Sequence, residues 1–443
     1  MKLGVSQKDI TPEIGCYLYG YSDDVIAESV HDRLDVTAFY FESPRGKMLL
    51  VSATLGTFQT ALSNRIRTKL AAECDVPYEN IILCATHTHT APNTTGTYGW
   101  GNLDLPYCEQ ILIPQISAAA QEAVASAVPA KMGYATGNSL VGINRREMNA
   151  NGAEGNRCFL GQNEWGCFNP KMSVLSFRDR AGKPIANLIH YGCHGTAASR
   201  ARQISRDWPG VMTDCLARET GAVTAFFNGP EGDVGPRLTN GRTSGNREIN
   251  GVNYGNMQYV EELGGVAAAD AIRIFRTIPF YRDFDIDFFN GKLSLALKKR
   301  LSREEAEAGY KKYAEFSVNH NGQKKNYYRN LLDSYEQGYV DAPALEIDQT
   351  VFRIGDIVFA PFPYEVFSEI GLRIQKISSF YHVLSLSNAN GCEGYFVTED
   401  SLCRGGYEIE MFLTGRLQPF EQDADWNLIR ETVNNIRHLE ENA

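Results

Sequence analysis

Short apolar runs alternate along this chain with longer stretches in which apolar positions recur every three or four residues. Residues 34–42 and 47–55 read as two strands across the turn Ser43-Pro44-Arg45-Gly46. The spacing predicts a helix over 58–74, a buried strand over 81–86 and an alanine-rich helix over 107–128. Strands at 171–178 and 184–192 flank the turn Asp179-Arg180-Ala181-Gly182. A helix at 208–220, with Pro209 in its first turn, leads to a strand at 222–227. The Gly-, Asn- and Thr-rich stretch 238–256 reads as a surface loop before a helix at 258–276. Two charged helices are expected within 302–337, around the linker Asn319-His320-Asn321-Gly322. Strands at 350–354 and 356–361, a helix at about 364–377 and a strand at 382–388 follow. The sequence shows no repeat, low-complexity tract or inter-domain linker. Helices alternate with strands, but hairpins are interleaved. The expectation is an α/β fold of layered mixed β-sheets flanked by helices, in one large domain with a helical insertion at about 300–340.

The candidate chemistry lies where apolar strands run out into polar, glycine-containing segments. The first is Ala85-Thr86-His87-Thr88-His89-Thr90; on a continuing strand His87 and His89 would share a face. The second ends at His194, the third at Asn228-Gly229-Pro230-Glu231-Gly232-Asp233, and the fourth at Asn388-Ala389-Asn390-Gly391. Loops at strand ends are where α/β folds place their sites. A shared edge would gather His87, His89, His194, Asp233 and Glu365. Each has a plainer reading. Exposed His-x-His pairs occur without function, Glu365 suits the start of a helix, and His190 suits a satisfied core position. Tyr191 follows His190, so the His-Glu-x-x-His zinc motif is absent, as are the Gly-x-Ser-x-Gly elbow and the phosphate loop.

Composition narrows the class. The chain has 443 residues, 43% hydrophobic and 22% charged, as in globular proteins. Its net charge of -10 and the lack of a basic run argue against a nucleic-acid partner. No apolar stretch is long enough to span a membrane and no apolar signal core opens the chain. The expected location is therefore cytoplasmic, unless a leader was removed. Ten cysteines without a Cys-x-x-Cys pair read as reduced core residues.

Several segments resemble, in order, those of the neutral/alkaline non-lysosomal ceramidase family, in particular short bacterial relatives lacking a C-terminal sandwich domain. They are Lys8-Asp9-Ile10-Thr11-Pro12, Val30-His31-Asp32-Arg33-Leu34, Ala85 to Pro92, Ile143-Asn144-Arg145, His194-Gly195-Thr196, Pro363-Tyr364-Glu365 and Gly394-Tyr395-Phe396-Val397-Thr398. The resemblance implies a zinc site of His87, His194, Glu365 and Tyr395. It also implies a water made nucleophilic by the metal, with His89, Arg145 and Asp233 serving catalysis. One position departs: Gly235 in Gly232-Asp233-Val234-Gly235-Pro236 stands where the family carries a serine. That excludes a serine nucleophile there and puts ceramide itself in question.

The expectation is thus a zinc-dependent hydrolase of an amide, ester or related bond, acting on a small polar or carbohydrate-like substrate. Trp100, Trp165, Trp208 and Tyr98 are candidate aromatic walls. The competing readings are a true ceramidase, a zinc-dependent lyase or glycan-cleaving enzyme, and a non-catalytic zinc-stabilised binding protein.

Overall fold

The computed structural model describes residues 1–148, 158–239, 256–316 and 319–440. It is a mixed α/β structure, and its topology is one pattern used three times. In the first unit, strands Lys2–Asp9, Asp35–Ser43 and Gly46–Ala53 pair antiparallel in turn. Helix Thr60–Cys74 then returns the chain to Ile81–Ala85, parallel to the third strand, and helix Ile113–Ala125 follows. The second unit repeats this order with strands Val128–Asn138, Lys171–Asp179 and Pro184–Tyr191, helix Asp207–Thr220, strand Val223–Asn228 and helix Met257–Phe275. The third uses Ile286–Ala296, Ala344–Ile354 and Ile357–Pro361, helix Ser368–Ile377, strand His382–Leu386 and helix Ala424–Arg437. The first strands of units one and two pair, fusing them into an eight-stranded sheet; unit three keeps a four-stranded sheet of its own.

The absence of a repeat in the sequence therefore does not extend to the fold. Topology constrains only where apolar faces lie, and many side-chain sets satisfy that.

Alternation along the strands sorts the core. In Asp35–Ser43, Val36, Ala38 and Tyr40 face the helices of their own unit, while Phe39 and Phe41 face a core shared by all three units. Phe177 and Phe227 enter that shared core from the second unit, and Phe352 and Phe359 from the third. Each such ring contributes about 1.5–3 kcal/mol by burial. The C-terminal ends of the three fourth strands are knitted together. Ala85 N donates to Asn388 O at 3.2 Å, Ser387 N to Asn228 O at 3.1 Å, and Asn228 Nδ2 to Thr86 O at 3.1 Å.

Three expectations need correction. The helix placed at 364–377 begins at Ser368, and Glu365 lies in the short strand Glu365–Val366. The expected linker Asn319-His320-Asn321-Gly322 is the opening of helix Asn319–Glu336. Residues 126–128 are not helical, because Val128 starts the strand to which Met1–Leu3 pair. Most of the loop expected at 238–256 lies outside the described residues.

His190 is the core histidine its apolar setting suggested. Its Nε2 donates to Ser385 O at 2.8 Å, and burial pushes its pKa down to about 4. The unfolded chain takes up this proton near pH 6.5, the folded chain only near 4. Acidification through that window should therefore remove about 3 kcal/mol of stability. Urea unfolding of His190→Gln between pH 7 and 4 should show a shallower loss than the parent; equal slopes would exclude His190 as the source.

Candidate metal centre

The strand before the histidine pair stops at Ala85, and His87 takes a left-handed φ of +65°. The two histidines therefore do not share a strand face as expected. The kink brings them together instead, with His89 Nε2 3.3 Å from His87 Nε2. From the second unit, His194 lies beyond strand Pro184–Tyr191. From the third, Glu365 lies beyond Ile357–Pro361.

These groups meet with their lone pairs facing inward. His87 Nδ1 is 2.8 Å from the Gly56 carbonyl, and His194 Nδ1 is 2.9 and 3.0 Å from the carbonyls of Glu231 and Val234. A carbonyl only accepts, so each Nδ1 carries the proton and each Nε2 of the neutral ring keeps a lone pair. Both Nε2 atoms then face one oxygen of Glu365, at 3.4 Å from His87 and 3.1 Å from His194. Three buried acceptors this close repel one another unless a cation or a proton lies between them. Imidazole nitrogens fixed by backbone carbonyls, together with a carboxylate, are a donor set that suits Zn²⁺.

The electrostatics follow the packing. Burial, reinforced by Arg145, pushes His194 down to about 3. Burial opposes charge on His87 too, but Glu365 outweighs it and lifts that histidine above its ordinary value. A proton and a cation would thus compete for His87 Nε2. Burial raises Glu365, and His87 and His194 more than reverse this, holding its carboxyl well below the ordinary range. His89 is held well below its ordinary value by burial, then by His87 and His194. Its ring is edge-on to Tyr19 and Tyr21, at centroid distances of 5.1 and 5.3 Å. Gly20 (φ +85°) closes over it; a Cβ there would lie 2.3 Å from His89 Nδ1.

Two acidic residues missed in the sequence complete the surroundings. Glu231 is fully buried, and its carboxylate oxygen lies within 4.8 Å of ligand atoms of His87 and Glu365. Burial pushes it up to about 8, and Asn388 Nδ2 donates to it at 2.5 Å. The segment was marked in the sequence, but nothing there distinguishes Glu231 from Asp233. Gly232 permits the approach, since a Cβ on it would lie 2.5 Å from Glu365 O. The second residue is Glu408, on helix Tyr407–Thr414, where the sequence pattern predicted no element. It accepts from Arg145 Nε at 2.9 Å and Arg146 Nη1 at 2.6 Å.

Arg145 turns its other end to the site, where Nη2 donates to the Tyr395 hydroxyl at 2.9 Å. Tyr395 pairs in register with Glu365 across two short parallel strands. Burial and Glu365 raise its phenol well above the ordinary value, with Arg145 opposing. Asp233 is not brought into the cluster in the same way. Its oxygens accept from Ser368 N at 2.7 Å, Ser368 Oγ at 3.1 Å and Asn144 Nδ2 at 3.2 Å, at the start of helix Ser368–Ile377. Trp208 is not a pocket wall; it is fully buried and its Nε1 donates to His194 O at 2.9 Å. Trp165 is 97% exposed.

A cavity of about 450 Å³ beside Tyr134 and His382 shares no residue with this centre. The cavity over it, about 350 Å³, is lined by His89, Arg145, Tyr395 and Trp100 together with Ile143, Leu160 and Pro236. Ile143, Leu160 and Pro236 give it an aliphatic wall beside the polar and aromatic one. Gly235 also borders the cavity; a Cβ there would lie 3.4 Å from Arg145 Cβ, an ordinary contact. Among the described residues, no helix is long and apolar enough to cross a membrane.

Comparison with known proteins gives the family and the fold. The family described as neutral/alkaline non-lysosomal ceramidase, N-terminal, matches residues 1–252. The neutral ceramidase of Pseudomonas aeruginosa is 27% identical over 254 residues, a match covering 54% of this chain and 37% of that protein. A crystal structure of neutral ceramidase from Pseudomonas aeruginosa superposes with a TM-score of 0.72 at 20% identity, over 100% of this chain and 74% of that one. A structure of ceramidase complexed with C2 gives 0.70, also at 20% identity, over 100% of this chain and 75% of that one. At this identity the two structures speak for the fold.

Proposed function

The chain belongs to the neutral/alkaline non-lysosomal ceramidase family, and from that premise we propose that it is a zinc-dependent hydrolase of an N-acyl amide. The observation that carries the proposal is the convergence of His87 Nε2, His194 Nε2 and Glu365 Oε2 described above. In this reading these three and Tyr395 hold Zn²⁺. The bound ion would polarise the acyl carbonyl and acidify a water at neutral pH.

The chain's own residues supply the rest. Arg145 is fixed by Glu408 and points its guanidinium at the Tyr395 hydroxyl. There it is placed to stabilise negative charge developing on the carbonyl oxygen. His89 is held neutral and its Nε2 faces the cluster, so it is placed to donate a hydrogen bond to the oxygen of the developing tetrahedral intermediate. Asp233 is a positioning residue: it anchors Ser368, three residues after Glu365, and its carbonyl accepts from Arg145 N at 2.8 Å. The aliphatic wall of Ile143, Leu160 and Pro236 suits an acyl chain, which favours a ceramide-like amide over a wholly polar substrate. No serine stands at position 235, so no acyl-enzyme is expected there.

The test combines metal analysis with turnover. The purified protein should carry about one zinc per chain by X-ray fluorescence. It should release fatty acid from a short-chain ceramide, lose that activity to a chelator and regain it with Zn²⁺. Full activity after exhaustive chelation, or a covalent substrate adduct seen by mass spectrometry, would rule the mechanism out.

A further inference from the structure

Helix Asn319–Glu336 turns a polar face toward the candidate centre. Gln323, Asn326, Asn330, Asp333 and Gln337, the last just past the helix end, recur at three- and four-residue spacing and line one cavity of about 830 Å³. Gln323 Nε2 donates to Tyr98 O at 3.4 Å, and the apolar packing of the helix uses other residues. Tyr327 and Leu331 form a small apolar cluster with Ala306 of helix Arg303–Lys312. Among the described residues, no hydrogen bond or ion pair engages the side chains of Asn326, Asn330, Asp333 or Gln337. Across the cavity stand Thr57, Thr97 and Trp100, and Thr57 Oγ1 is buried without a hydrogen-bond partner.

This cavity and the smaller one over the histidines share Trp100, Gln323, Tyr395 and Tyr407 as walls, and the larger one reaches Glu365. A substrate with its amide at the centre can therefore extend into both. The chemistry of the larger wall is specific. Carboxamides pair a donor with an acceptor, which matches neighbouring hydroxyls, and Trp100 offers a flat stacking face. Asp333, Glu365 and Glu393 face a single cation, Arg416, so the lining disfavours phosphate or sulfate. The volume falls within the roughly 300–1,000 Å³ usual for ligand sites.

We propose that this groove binds an uncharged, polyhydroxylated head group with the chemistry of a short glycan, carried by the amide substrate. The assignment deepens the amide-hydrolase reading and rests on it for the position of the scissile bond.

Two measurements test it separately. Binding of methyl β-cellobioside to the intact protein is followed by saturation-transfer NMR, with the parent compared to Asn330→Ala and Gln337→Ala. Fatty-acid release is followed from N-hexanoyl ceramide and from its β-glucosyl derivative. The cellobioside should bind, and each variant should weaken binding by roughly five-fold or more. The glucosyl substrate should have the higher kcat/KM, and the variants should bring its advantage toward unity while cleavage of plain ceramide is unchanged. No cellobioside binding together with no glucosyl preference overturns the groove assignment and leaves the hydrolase standing. Binding that the variants weaken, in a protein that cleaves neither amide, overturns the hydrolase and leaves the groove.

Discussion

Glu365→Gln should nearly abolish both metal content and turnover. The change keeps the size of the side chain but removes the carboxylate oxygen that faces both His87 Nε2 and His194 Nε2. A carboxylate ligand neutralises a divalent cation and an amide does not. The loss of several kcal/mol of charge stabilisation corresponds to roughly a thousand-fold in rate. The fold should survive, because the strand Glu365–Val366 is held through its backbone: Glu365 N donates to Gly394 O at 2.9 Å and Phe367 N to Phe396 O at 2.9 Å. Zinc stoichiometry, kcat and circular dichroism on one preparation decide the matter. A variant with full zinc and full rate would return Glu365 to a purely structural role.

The largest effect on stability is expected from Glu408→Gln. Arg145 and Arg146 are neighbours in sequence, both largely buried, and both point at the one Glu408 carboxylate. Removing that charge leaves two guanidinium groups in the interior without a counter-ion. Breaking a buried pair from one side costs about 3–5 kcal/mol. The urea midpoint should fall accordingly. kcat should fall as well, because Arg145 loses the contact that aims it at Tyr395. An unchanged midpoint would show that the arginines find another partner or more water than the packing suggests. Restoration by Glu408→Asp, even in part, would identify charge rather than shape as the missing quantity.

The elements legible in the sequence were those with one clear periodicity. The hairpins around 43–46 and 179–182, the helices near 60–74, 207–220 and 257–275, and the strands leading to each candidate loop all stand close to where the apolar pattern put them. The first strand of every unit escaped. Lys2–Asp9, Val128–Asn138 and Ile286–Ala296 carry lysines, glycines or a proline and are only partly covered, so neither alternation nor an apolar run marks them. Helix Ala424–Arg437, whose Leu428, Ile429, Val433 and Ile436 fill the third unit's core, lay beyond the last expected element.

At the site, the segments were visible because apolar strands broke into polar loops there. Which side chain of a loop turns inward was not visible. His87 itself takes a left-handed φ, Glu231 joins His87 and Glu365 where Asp233 was favoured, and Trp208 packs behind His194 instead of beside the cavity. Backbone dihedrals decide those directions, and one sequence does not specify them.

The threefold plan gives the centre a further property. Its acceptors come one unit at a time: His87 from the first, His194 from the second, Glu365 from the third. Zinc seated among them would act as a keystone between three segments, each with its own outer cluster besides the core they share. Release of any one segment would open the ring, so separation of the units should release the ion, while loss of the ion alone leaves the shared core in place. A fragment ending at residue 275 would carry both histidines and no Glu365; it should bind zinc far more weakly than the whole chain, however well its eight strands pair.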